Sequence, residues 1–340
     1  MVRLKDIAER AGVSIMTVSK ALREAKDIAP GTRERIRKLA VEMNYVPDLS
    51  AQLLRSRKTK LFGLIISAAT NPIYARIMMA LEERSYEMGY ELLFAHSLNQ
   101  PGREESCIRR FLTRRVDGLF ITPVYRLTPK APAYEEILRC AVPTVILGHR
   151  GLFCSQFANV ETDDIAASYA VTKHLIELGH RRIAYFTGPP VSPSAQERYE
   201  GYRRALREAN IELDDRLVFN AGGTIEEGEK AALQMLNENP QATAVQAVND
   251  LVAIGAADVF LNQGISIPRD LSIAGFGNIL VSEYFRVPLT TVRQPKLRLG
   301  YAAMDLMQSL QRGEPPESKR LRAEVIARAS TAPPVGKSPA

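Results

Sequence analysis

The stretch Leu4-Lys-Asp-Ile-Ala-Glu-Arg-Ala-Gly-Val-Ser-Ile-Met-Thr-Val-Ser-Lys-Ala-Leu22 decides how the rest of the chain is read. Leu4, Ile7, Ala8 and Ala11 recur at spacings of three, four and seven, which lays them along one face of a helix. Gly12 stops that helix, and Ser14 is placed as the N-cap of a second one through Leu22, with Val18, Ala21 and Leu22 facing the first. Small Ala8 stands where the two helices must cross. The pattern is a complete helix-turn-helix, a shape whose second helix suits the major groove of DNA. A third helix is predicted from about Thr32 to Tyr45, where Ile36, Leu39, Ala40 and Met43 repeat at helical period before Pro47.

Charge agrees with a polyanionic partner for this segment. The chain has 340 residues and a net charge of +7, yet residues 1–60 hold 14 Lys/Arg against 7 Asp/Glu, and the remaining 280 hold 31 of each. Lys and Arg contacts to phosphate supply most non-specific affinity for nucleic acid, so the excess belongs with the helix-turn-helix. With 46% hydrophobic residues the chain can bury a large core, and no apolar run approaches the ~20 residues of a membrane span. Asp6 and Glu9 interrupt the opening stretch, which therefore does not read as a secretory signal, and a cytoplasmic location is expected. Cys107, Cys140 and Cys154 are odd in number and lack CxxC spacing, so buried thiols are expected instead of disulfides or a zinc site.

After the basic stretch Arg55 to Lys60 the texture changes to short apolar runs alternating with amphipathic helices, the mark of βαβ units and parallel sheets. The runs are Phe62 to Ser67, Glu91 to Ala95, Gly118 to Thr122, Thr144 to Leu147, Ile183 to Thr187, Ala244 to Val248 and Ser272 to Phe276. So many strands exceed one doubly wound sheet and predict two such lobes, which bind ligands beyond the carboxyl ends of their strands. The fold class is α/β: a three-helix helix-turn-helix headpiece over 1–48, then two doubly wound lobes. The tail 332–340, rich in Pro, Gly, Ser and Lys, is expected to be disordered.

In the order Leu4 to Leu22, Tyr45-Val-Pro-Asp48, Arg115-Val-Asp-Gly-Leu119, Gly179-His-Arg-Arg-Ile183, Val248-Asn-Asp-Leu-Val-Ala-Ile-Gly255 and Pro288-Leu-Thr-Thr-Val-Arg-Gln-Pro295, the chain resembles the lactose-repressor and galactose-repressor family of bacterial transcription regulators. The resemblance runs from about Leu4 to about Thr331 and implies lobes of periplasmic-binding-protein type. It assigns 49–60 to a hinge helix and linker, 61–160 plus 293–320 to the first lobe, and 161–292 plus 321–331 to the second. It further implies an effector-controlled repressor, a homodimer on a near-palindromic operator in double-stranded DNA, sensing a sugar or related metabolite between its lobes, with no cofactor.

By the same resemblance the start of the second helix enters the major groove. Ile15, Met16 and Lys20 then face base edges, while Ser14, Thr17 and Ser19 suit phosphate oxygens. Lys20 can donate to guanine, whereas Ile15 and Met16 can only pack against thymine methyl groups. Leu54, beside Arg55, matches a leucine wedge that enters the minor groove. In the core the resemblance assigns the effector to Asn71, Ile73 and Tyr74 in the loop and helix after the first strand, to Arg198, and to Asn249 and Asp250 at a strand end. Asp250 has a second reading as the N-cap of the following helix. Gly148 and Gly277 stand where the family often has ligand-binding aspartates, and His149 and Asn278 are the neighbouring polar groups available instead.

Other functions fit less well. His96, His149, His174 and His180 show no metal-ligand spacing, and no P-loop or nucleophile elbow appears, so neither an enzyme nor a metal site is expected. A solute-binding protein would share the two lobes but not the headpiece, and a regulator answering to a protein partner is the other alternative.

Overall fold

The amide of Arg3 donates to the Asp6 carboxylate at 2.8 Å, and this bond starts helix α1 (Leu4–Ala11) in the computed structural model. That structure describes residues 2–25, 27–46 and 58–335, and every count below is made among them. The chain divides into two units, Met1–Thr59 and Lys60–Ala340.

In the first unit Gly12 ends α1 with a left-handed φ of 65°, a conformation glycine adopts without penalty. Helix α2 (Ile15–Leu22) follows, with Ser14 Oγ accepting from the Thr17 amide at 3.1 Å. Helix α3 (Pro30–Glu42) begins two residues before the expected Thr32, because Pro30 occupies the first turn, where its preset φ suits a helix and its missing N–H costs nothing. Ile7, Ala8, Ala11, Val18, Ala21, Ile36 and Ala40 close into one core shared by the three helices.

In the second unit β1 (Leu61–Ile66), β2 (Glu91–His96), β3 (Gly118–Ile121), β4 (Thr144–Leu147), β5 (Ala158–Thr162) and β11 (Ser318–Leu321) form a parallel sheet in the order β11-β5-β4-β3-β1-β2. Successive side chains of β1 serve both faces. Phe62, Leu64 and Ile66 join α4 (Ile73–Glu87) and α12 (Lys296–Gln311), whereas Ile65 joins α5 (Pro101–Thr113) and α6 (Pro132–Arg139). A second parallel sheet, β7-β6-β8-β9, contains β6 (Ile183–Thr187), β7 (Val218–Asn220), β8 (Ala244–Ala247) and β9 (Ser272–Ala274). Helices α7 (Asp164–Glu177) and α8 (Pro193–Glu208) cover one face, and α9 (Ile225–Glu238) and α10 (Asp250–Asn262) cover the other. The short α11 (Leu280–Tyr284) precedes an antiparallel ribbon of β10 (Thr291–Arg293) and β12 (Glu324–Ile326).

All seven expected strands are present to within two residues at each end. The strands absent from the sequence reading are short or polar, β5 being Ala-Asn-Val-Glu-Thr. The chain passes between the lobes after β5, before α12 and after β11, and the Gln294 amide ties two passages together by donating to Thr162 Oγ1 at 3.1 Å.

Two expectations are corrected. The tail is held at its start: the Ala332 amide donates to Ser272 Oγ at 3.0 Å, and His180 Nε2 lies 2.9 Å from the Ala332 carbonyl. Residues 336–340 lie outside the described residues. Cys107 and Cys154 are buried as expected, but Cys140 is exposed, because it caps the outer end of α6.

Helices α9 and α10 approach closely because each carries a glycine at the crossing. A Cβ on Gly228 would stand 2.4 Å from the Val252 carbonyl oxygen, and one on Gly255 2.1 Å from that of Ile225. Both obstacles are backbone, so a rotamer change cannot relieve them. Gly255→Ala is expected to cost about 3 kcal/mol, at the upper end for overpacking, read as a lower urea midpoint at unchanged slope. A midpoint equal to that of the parent would show that the helices part without cost.

Candidate DNA-binding surface and interlobe cleft

Ile15 and Met16 sit on the first turn of α2, each 52% exposed, although the same helix buries Val18 and Ala21. Ser14 is exposed, Thr17 and Ser19 are half-buried, and the Ser14 and Thr17 hydroxyls lie 2.9 Å apart. Lys20 pairs with Asp27, both side chains being largely in solvent. A surface pair of this kind is worth about 0–1 kcal/mol, so the ammonium can leave it for a base or phosphate at little cost. The α2 face thus presents apolar tips flanked by hydroxyls and one weakly engaged cation. Leu54 and Arg55 lie outside the described residues.

The two sheets of the second unit meet at a cleft with a cavity of about 140 Å³, lined on one side by Ile73, Tyr74, Thr122, Tyr125 and His149 and on the other by Asp164, Ser194 and Arg198. Helix α4 brings Ile73 and Tyr74 to it, with Asn71 Oδ1 accepting from the Ile73 amide at 3.2 Å to shape the entry turn. Ser67 Oγ donates to the Tyr74 hydroxyl at 3.0 Å, and burial pushes that phenol above its usual range. Tyr125 donates to the His149 carbonyl at 2.8 Å, which fixes the backbone after β4.

Arg198 is the most constrained charge in the cleft. Its Nε donates to Asp164 Oδ1 at 3.0 Å, one terminal nitrogen donates to the Val248 carbonyl at 2.8 Å, and the guanidinium stacks 3.8 Å from the Phe276 ring centre. Burial raises the Asp164 carboxyl above its ordinary value, with Arg198 and His149 pulling against it. Burial also opposes protonation of His149, but the surrounding Glu197, Asp164 and Glu161 carboxylates outweigh it and the imidazole pKa rises. Arg320 completes the group by donating at 2.8 Å to both Glu161 and Glu197.

Of the residues expected at the effector, Ile73, Tyr74, His149 and Arg198 line the cavity and Asn71, Asn249, Asp250 and Asn278 do not. Asn249 caps α10, accepting from the Val252 amide at 2.8 Å and donating to the Gly223 carbonyl at 3.0 Å. The cap expected as a second reading of Asp250 therefore belongs to Asn249. Asp250 is buried and accepts from the Ile279 amide at 2.9 Å, from Ser282 Oγ at 2.7 Å and from Thr291 Oγ1, a brace between α10, α11 and β10. Asn278 accepts from Arg328 at 2.8 Å. Gly277 has φ of 138°, and a Cβ there would lie 3.4 Å from Asp250 Oδ2, so an aspartate would set one buried carboxylate against another.

Sequence reasoning missed Tyr125, Glu161, Asp164 and Glu197. Asp164 follows a helix cap and reads as a first-turn acid, Glu197 reads as the solvent side of an amphipathic helix, and Glu161 lies in a strand with no apolar run. The cleft also contains two buried polar atoms without hydrogen-bond partners, Thr122 Oγ1 and Gln294 Oε1, while His149 Nε2 and Glu197 Oε2 face each other at 2.9 Å. Buried polar groups are nearly always satisfied, so their convergence here marks a place built for a polar ligand.

A helix-turn-helix unit with an apolar, hydroxyl-flanked recognition turn, joined to a two-lobed α/β body with a polar interlobe cleft, defines a DNA-binding transcription regulator with a sensor domain. Residues 3–48 match the model for bacterial regulatory proteins of the lacI family, and 172–331 match a periplasmic binding protein-like domain. The chain belongs to the lacI family. It is 32% identical over 309 residues to the HTH-type transcriptional repressor PurR of Vibrio atlanticus, covering 90% of this chain and 91% of that one. It is 30% identical over 330 residues to the HTH-type transcriptional regulator DegA of Bacillus subtilis, covering 96% and 97%. Among solved structures, the Lac repressor dimer bound to operator and the anti-inducer ONPF superposes with a TM-score of 0.86 at 26% identity over 97% of this chain and 99% of that one. A complex of the transcriptional regulator CelR with cellobiose gives 0.74 at 28% identity over 97% and 100%.

Proposed function

We propose that the protein represses transcription from a near-palindromic operator as a cytoplasmic homodimer, and that a small hydroxylated metabolite, a sugar or a relative of one, sets its affinity from the interlobe cleft. It catalyses no reaction; its relatives carry the names of transcription regulators. Ile15, Met16 and Lys20 read bases, Ser14, Thr17 and Ser19 hold phosphates, and Leu54 with Arg55 enters the minor groove at the operator centre.

The observation that carries the sensing half is the pair of unpartnered polar atoms at the cleft, Thr122 Oγ1 and Gln294 Oε1, near the apolar Ile73 side chain and the rings of Tyr74 and Tyr125. Hydroxyls would satisfy the first and a ring face would cover the second. Asn71 shapes the turn that carries Ile73, and Asn249, Asp250 and Asn278 brace the second lobe away from the cavity. A ligand that favours one lobe spacing changes operator affinity only by its difference in affinity for the two states, and operator must change ligand affinity by the same factor.

The test is to recover an operator from a random duplex pool and then titrate sugars and related metabolites against the free protein and the operator complex. A ligand whose affinity changes by the same factor, about 5–150-fold, as the operator affinity it alters supports the proposal. A pool that yields no symmetric site, or a cleft ligand with identical affinity for free and bound protein, overturns it.

A further inference from the structure

His149 Nε2 points into the acidic end of the cleft, where it lies 2.9 Å from Glu197 Oε2, 3.7 Å from Asp164 Oδ2 and 3.9 Å from Glu161 Oε2. Its side chain is only 7% exposed, and neither His149 Nε2 nor Glu197 Oε2 has a hydrogen bond aligned with any neighbour. The ligand atoms of His149, Asp164 and Glu197 all lie within 4.8 Å of one another. Donors bound to one cation at about 2.0–2.2 Å stand roughly 3–3.5 Å apart, a spacing that the 2.9 and 3.7 Å separations bracket.

We infer that His149, Asp164 and Glu197 form a divalent-cation site between the two lobes, with coordination positions left open towards the cleft. One imidazole and two carboxylates suit a borderline cation such as Zn²⁺ better than Mg²⁺ or Ca²⁺, which prefer oxygen alone. The carboxylates are already oriented for it. Arg198 binds the far oxygen of Asp164 at 3.0 Å and Arg320 the far oxygen of Glu197 at 2.8 Å, so in each the second oxygen faces His149. Outer hydrogen bonds of this kind hold metal ligands in their orientation. Because His149 follows β4 in one lobe while Asp164 and Glu197 lie on α7 and α8 of the other, the cation would pin the lobes at one spacing. The site rests on these side chains alone and stands apart from whether an organic effector also binds.

The experiment titrates Zn²⁺ alone, without any metabolite, into chelator-treated full-length protein carrying Cys140→Ser, which removes the exposed thiol as a competing ligand. Calorimetry is expected to show one equivalent per chain, and saturating Zn²⁺ to raise the melting temperature by about 5 °C. His149→Gln and Glu197→Gln should each weaken binding at least about tenfold and remove the thermal shift, with circular dichroism confirming that the variants are folded. If His149→Gln does not fold, Glu197→Gln decides, since its partly exposed side chain is the least costly of the three to change. Absence of stoichiometric binding, or binding equally tight in the folded variants, overturns the site. Either result leaves the operator and metabolite test untouched.

Discussion

A fragment from Lys60 to Ala340 is expected to lose specific operator binding by at least about 10³-fold while remaining folded, the span that commonly separates specific from non-specific binding. The core should survive because its hydrophobic clusters contain no residue of the headpiece, and the headpiece core contains none of theirs. Binding should vanish because the fragment is nearly balanced, 32 Lys/Arg including Lys60 against 31 Asp/Glu, and lacks the excess that displaces the counterions of duplex DNA. For the full chain, log affinity should fall linearly with log salt, by about 0.9 per phosphate neutralised. A core fragment that shifts operator as well as the parent would move the DNA-binding surface out of the headpiece.

Arg198→Ala is expected to destabilise the sensor unit by about 3–5 kcal/mol, seen as a melting temperature lower by on the order of 10 °C. Asp164 is 2% exposed, and with Arg198 removed its Oδ1 loses the guanidinium that offsets burial. The Val248 carbonyl and the Phe276 ring lose the same partner. A double-mutant cycle with Asp164→Asn separates these losses: the pair should cost about 1–3 kcal/mol less than the two single changes added together. Additive changes would mean that Arg198 acts through packing alone. Effector binding should be lost in the same variant, since Arg198 also lines the cavity.

The first two helices of the headpiece were legible almost to the residue, and the reason is local: Gly12 and Ser14 act on the backbone within a few positions, and the core positions repeat at helical period. The third helix, expected from Thr32 to Tyr45, starts two residues earlier at Pro30 and ends three earlier at Glu42. The β-strands were legible where both faces are apolar, as in Phe62 to Ile66, and illegible where buried polar groups break the run, as in β5 with Asn159 and Glu161. Cleft residues recognised by motif divided in the same way. Tyr74 and Arg198 reach the cavity from helices and His149 from the loop after β4, whereas the side chains of Asn249, Asp250 and Asn278 are engaged by the Val252 amide, the Ile279 amide and Arg328 instead of reaching the cavity.

The sequence alone therefore determined the helix-turn-helix, the segregation of positive charge, the two-lobed parallel architecture and the family. The first three are written in short-range periodicity or composition, and the family in the resemblance of six ordered motifs. Tertiary structure alone decided the acidic end of the cleft, because His149, Glu161, Asp164 and Glu197 come from a loop, a strand and two helices across two lobes, at spacings that match no ligand motif. Their proximity depends on three passages of the chain between sheets, and a charge that reads as solvated along the chain becomes a buried one only when the lobes are assembled.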